Sequence, residues 1–175
     1  MGYTGRQLKM EGLKPMARLA CVGGLLTLTV GAALAQPVVS YVKPGARFED
    51  VRDDLKQAIE ARGFVIDYQA QIGKMLERTG KDLGAAKPVY ADAQSLQFCG
   101  AALSLKLMQA DPANVVLCPF TLVVYARADQ PQQVVVAYRR PLRPGGSAAT
   151  RTALRELDAL LDALAREAVG RQTGR

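Results

Sequence analysis

Histidine and tryptophan are both absent from the 175-residue chain. Without an imidazole there is no Ser-His-Asp or Cys-His catalysis, no His-ligated haem, and little of the usual donor set for zinc. Cysteine is scarce, with three in all. None is spaced as CxxC or CxxCH, which removes the thioredoxin-type redox motif and c-type haem attachment. Gly145-Gly146 reads as a linker with no Lys-Ser/Thr after it, and Gly23-Gly24 lies in a leader, so no phosphate loop exists. Asp53 with Asp54, and Asp67 after a strand core, occupy positions typical of solvated carboxylates. The inventory leans against an enzyme, and it implies no cofactor.

What is present begins with an address. Arg6, Lys9, Lys14 and Arg18 lead into an apolar run, LACVGGLLTLTVGAALA, that ends in Ala33-Leu34-Ala35, the small-x-small pattern of a signal peptidase site. Residues 1–35 therefore read as a signal peptide cleaved after Ala35, with a periplasm as destination. An uncleaved anchor is the competing reading. Its 17 residues, interrupted by Gly and Thr, are short for a hydrocarbon core about 30 Å thick. Cys21 stands near the start of the run, where a lipoprotein cysteine does not belong, and Met16 is an alternative start. Removing the leader takes four basic residues and Glu11 from totals of 23 and 16, leaving 19 basic and 15 acidic groups and a net charge of +4. That excess is dispersed and makes no nucleic-acid footprint. Its one cluster is Arg139, Arg140 and Arg143, which reads either as the solvated end of a strand or as a patch for an anionic partner. No later segment is apolar enough to enter a membrane.

Residues 36–170 suffice for one domain with a core, followed by a polar tail at 171–175. Val38–Val42 is β-branched and aromatic and predicts a strand. Arg47 to Arg62 predicts a helix with Phe48, Val51, Leu55, Ala58 and Ile59 on one face. Gly63 stops it, and Phe64–Tyr68 returns as a strand. Ile72 to Leu83 predicts a second helix carrying Ile72, Met75, Leu76 and Leu83 on its apolar face. Val89-Tyr90 and Ser95–Cys99 predict an extended segment with Leu96 and Phe98 sharing a side. A short helix, Ala101–Ala110, ends at Asp111-Pro112. Two strands follow, Phe120–Ala126 and Gln133–Arg139, joined by a turn at Asp129-Gln130-Pro131. Tyr125 and Tyr138 are expected to pair across this hairpin. Ser147 caps a final helix reaching about Val169, with Leu154, Leu157, Leu161, Leu164 and Ala168 inward and Arg155, Glu156, Asp158 and Asp162 facing away. The order β-α-β-α-β-α-β-β-α, with its closing hairpin, predicts an α+β fold. It is an antiparallel or mixed sheet of about five strands with helices on one side.

This arrangement resembles the DUF302 family, small α+β domains of unknown function, over roughly Phe48 to Pro141. The resemblance rests on three features: the helix ending at Gly63 before an apolar strand, the Leu105–Ala113 helix end, and Val116-Leu117-Cys118-Pro119 entering a strand-turn-strand closed by Pro141. It implies a compact antiparallel-sheet domain that is dimer-capable, and it brings no catalytic residue set.

Cys99 and Cys118, the two cysteines left after cleavage, carry the remaining chemistry. They read as a structural disulfide, as a redox-active pair, or with Met108 as a soft-ligand Cu(I) site. Two inert thiols are the bland reading. The expectation is a periplasmic, non-enzymatic binding or accessory protein. It is expected to be a homodimer with an unidentified small-molecule or protein partner, and to have a cleft between the hairpin and the helix after Cys99. The alternative is a thiol-redox or Cu(I)-handling protein.

Overall fold

Val38 to Pro44 opens the fold as β1, where β-branched and aromatic side chains suit a half-buried strand. The computed structural model describes residues 37–85 and 87–171. The expected leader, its cleavage site, Cys21 and residues 172–175 lie outside the described residues. After β1 come α1 (Phe48–Glu60), β2 (Val65–Ala70), α2 (Ile72–Asp82), β3 (Tyr90–Cys99) and α3 (Ala101–Ala110). A short 3-10 helix (Pro112–Leu117), β4 (Phe120–Arg127), β5 (Gln130–Arg139) and α4 (Ala148–Ala168) complete the order. The class is α+β, as the element order predicts.

All five strands form one sheet in the order β1-β5-β4-β3-β2, and every pairing is antiparallel. The register sets Phe98 opposite Phe120, Leu96 opposite Leu122 and Val124 opposite Val136. Because side chains alternate along a strand, Leu96, Phe98, Phe120, Leu122, Val124, Val134, Val136 and Tyr138 share one face, and all are buried. Helices α1 and α4 cover that face. The five predicted apolar positions of α1 are its buried residues, and Leu154, Leu157, Leu161, Leu164 and Ala168 of α4 are buried too. Each fully buried Leu, Val or Phe stabilises by about 1.5–3 kcal/mol relative to exposure. The start of α4 is fixed by Ser147, whose hydroxyl accepts from Thr150 N at 3.0 Å.

Three expectations need correction. No residue of α2 is buried, and Met75, Leu76 and Leu83 are exposed. The contact that seats this helix is made by backbone instead. A Cβ on Gly73 would stand 2.7 Å from Ala93 N of β3, so only glycine permits the approach. The hairpin turn is Ala128-Asp129, not Asp129–Pro131. Pro131 lies inside β5 but outside the residues registered with β1 or β4, so its missing N–H interrupts no ladder. Tyr125 and Tyr138 do not pair. Tyr125 stands opposite Val135, and Tyr138 lies three positions beyond Val135, an odd offset that puts the two rings on opposite faces. Tyr125 packs edge-on against Tyr90 instead, with centroids 5.6 Å apart. No helix among the described residues is long and apolar enough to cross a membrane.

Candidate functional site

The β4–β5 ladder stops early. It runs from the turn to the Val123–Ala137 pair and no further. Yet β3 still holds β4 at Phe120, and β1 still holds β5 at Arg139. The central strands therefore part at this end. Backbone groups that would have continued the ladder are left without strand partners, as at a sheet edge. A cleft of about 760 Å³ lies here. That is within the range of small-molecule sites. Phe120 and Tyr138, with Leu157 and Leu161 of α4, line it from the helix side. Val38, Thr121, Val123, Ala137 and Arg139 line it from the opposite side, and Val116, Leu117, Pro119 and Pro141 complete it. The cleft expected between the hairpin and the helix after Cys99 is not this one, because no residue of α3 lines it and the 3-10 helix and α4 supply the walls.

Beneath Tyr138 lies a polar cluster that periodicity misassigned. Asp158 and Asp162 do not face away from the protein, but are half-buried between α4 and the sheet. The Tyr138 hydroxyl lies 3.4 Å from an oxygen of each. Tyr41 of β1 donates to Asp162, and Arg166 Nε donates to its other oxygen at 2.6 Å. The Arg166 guanidinium also stands 4.7 Å from the centre of the Tyr41 ring, a favourable cation–π distance. Arg140 pairs with Asp158 at 3.3 Å, although its Nε is not aligned to make a hydrogen bond.

Burial would raise the Asp162 carboxyl, but the hydrogen bonds from Tyr41 and Arg166 outweigh it and hold the group below the ordinary carboxylate range. Burial, reinforced by the Asp158 charge, pushes Tyr138 well above an ordinary phenol. Tyr41 moves up through burial and its bond to Asp162. Near neutral pH the phenols stay protonated and Asp162 stays ionised. Tyr41, Tyr138 and Asp162 each hold one protonation state there, whereas a general acid or base works best with a value near the operating pH. The arrangement clamps α4 to β1 and β5.

The two cysteines meet. Cys99 ends β3 and Cys118 follows the 3-10 helix; their sulfurs lie at disulfide distance, with Cα atoms 6.3 Å apart. Both residues are half-buried. Ser104 Oγ sits 3.8 Å from Cys118 Sγ. Met108 is half-buried one turn beyond Ser104 on α3, and in their bonded state the sulfurs are not free thiolates for a metal. Among the described residues no group of three or more His, Cys, Asp or Glu is placed to hold a metal ion. Leu117 and Pro119 flank Cys118 and line the cleft, so the cysteine link ties a cleft wall to β3. The Cys118–Pro119 peptide is cis.

Of the predicted basic cluster, Arg140 and Arg143 are engaged within the fold. Arg143 donates at 2.8 Å to Asp111 and at 2.8 Å to Asn114 Oδ1. Asn114 is buried and donates to Leu107 O, also at 2.8 Å. Asp111 accepts from Ala113 N. This set fixes the 3-10 helix beside the cleft, a role that sequence reasoning missed. The available signal was one polar residue inside the apolar run of Pro112–Leu117, directly after an Asp-Pro start. Arg139 alone of the three is exposed, at the cleft, and it has no carboxylate partner among the described residues.

Residues 40–168 match the family described as "Domain of unknown function DUF302". The crystal structure of an uncharacterized conserved DUF302 protein from Bacillus stearothermophilus has the same architecture. Its TM-score is 0.59 at 13% identity, over 74% of this chain and 96% of that one. At such identity the likeness speaks for the fold. No curated protein is a match.

Proposed function

The chain belongs to the DUF302 family, and from that premise we propose that it is an exported, non-enzymatic binding domain of the periplasm whose site is the cleft between β4 and β5. The observation that carries this reading is the parting of the two central strands over an apolar floor. Strands paired from the turn to Val123 and Ala137 part where Phe120, Tyr138, Leu157 and Leu161 converge. The fixed protonation states of Tyr41, Tyr138 and Asp162 support binding over catalysis. Export rests on the basic leader, the apolar run and Ala33-Leu34-Ala35. A homodimer is part of the same proposal. Val65 and Tyr68 of the edge strand β2 are large apolar side chains left exposed, and sedimentation of the purified protein reads its state directly.

Absence of tryptophan makes the cleft easy to report on. Val116 lines it and is 78% exposed, so Val116→Trp installs a single, selectively excitable tryptophan at little cost to the core. Titration with 1-decanol, a neutral apolar probe, is expected to give a saturable blue shift. A second replacement, Thr121→Trp, fills the gap between the strands, and calorimetry on that variant is expected to show no decanol binding. A signal that never saturates, or a Thr121→Trp protein that binds as the original does, would remove the cleft as the site.

The thiol-redox reading keeps one supporting observation. The linked cysteines are only half-buried and adjoin the cleft, so a redox change there would move a wall of the site. A Cu(I) role for Cys99, Cys118 and Met108 first requires reduction. A bridge that glutathione buffers open readily, or copper bound stoichiometrically by the reduced protein, would favour this reading over a structural link.

A further inference from the structure

We infer that the ligand of the cleft is a single-chain amphiphile carrying one carboxylate, its chain lying on Leu157 and Leu161 and its carboxylate held at Arg139. The inference rests on the binding reading above and adds the class of ligand. The cleft has two chemically different sides. On the helix side its lining is Phe120, Leu157, Leu161 and the ring of Tyr138, whose hydroxyl is already committed to α4 carboxylates. A polar head placed among these four side chains would lose hydration, since none of them offers a free donor to replace it.

On the opposite side the ladder, continued past Val123 and Ala137, would set Thr121 opposite Arg139. Their side chains therefore border the gap from its two strands on the same face. The Thr121 hydroxyl lies 3.4 Å from Pro119 O, at the limit of a hydrogen bond. Arg139 offers a planar fork of N–H donors that matches a carboxylate. Its neighbours Arg140 and Arg143 are drawn into ion pairs with Asp158 and Asp111, whereas Arg139 is exposed and has no carboxylate partner among the described residues. A cation without a partner beside an apolar slot is complementary to an apolar chain ending in an anion, and Val38, Val116 and Val123 line the same cleft.

The test compares decanoate with 1-decanol by calorimetry, on the wild-type protein and on Arg139→Gln and Arg139→Lys. The exposed ion pair predicts decanoate binding about fivefold tighter than decanol. Arg139→Gln is expected to erase that preference by weakening decanoate binding, with circular dichroism as the control for folding, and Arg139→Lys is expected to restore part of it. Equal binding of both probes, unchanged by Arg139→Gln, would overturn the carboxylate inference and leave the cleft standing. Failure of both probes to bind the wild type would remove the cleft reading itself, and this inference with it.

Discussion

Asp162 is the residue on which the two layers meet. It accepts from Tyr41 and Tyr138 on two different strands and from Arg166 on its own helix. Hydrogen bonds to a charged group contribute about 1.5–3 kcal/mol, so Asp162→Asn is expected to lower the unfolding free energy by about 2 kcal/mol in urea titrations. The pH dependence has a definite sign. A carboxyl held below its unfolded value contributes fully above the ordinary aspartate range near about pH 4. That contribution is lost as the pH falls through the folded value. The phenols act in reverse, contributing below their ordinary range near about pH 10 and losing the contribution as pH rises through their raised folded values. Asp162→Asn should therefore flatten the acid limb of the stability profile. An acid limb identical to the wild type would show that the cluster does not hold the layers together. None of this was legible in the sequence. Asp158 and Asp162 sit beside an apolar stripe, and helical spacing assigns charged neighbours of a stripe to solvent. Only the register that brings Tyr41 and Tyr138 over α4 reveals partners that lie 121 and 24 residues from Asp162.

At the scale of elements, local signals were clear where one chemical preference dominated. The five buried positions of α1, the Ser147 cap and the bounds of α3 all followed from spacing, hydroxyl capping and an Asp-Pro breaker. The sequence misled where packing decided. The apolar stripe of α2 meets no layer, because Gly73 brings backbone instead of side chains against β3. The 3-10 helix has no periodic signature in six residues and is fixed by Asp111, Asn114 and Arg143. Its other tether is Cys118. Closing a loop with a sequence separation of 19 is expected to contribute about 3 kcal/mol. Replacing Cys99 and Cys118 together by Ser should lower the thermal midpoint accordingly. Because Leu117 and Pro119 move with Cys118, the same variant should bind 1-decanol more weakly. A large loss of stability with unchanged decanol affinity would confine the cysteine link to the fold.

For the molecule as a whole, the sheet is closed at one end of its central pair and open at the other. The hairpin turn pins β4 to β5 at Ala128-Asp129, while β3 and β1 draw the far ends apart. The fold class was legible because alternation and helix periodicity are local properties. The cleft was only partly so. Hydrophobic pattern identifies β4 and β5 as strands, but not the residue at which their ladder ends, since that depends on the outer strands and on α4. The most direct measurement is a map of backbone amide shifts in the isotopically labelled protein as 1-decanol is added. Shifts gathered at Val116–Val123, Ala137–Pro141 and Leu157–Leu161, saturating together, are the predicted result. Shifts that are absent, or that gather elsewhere on the sheet or on α2, would contradict the assignment of the cleft as the binding site.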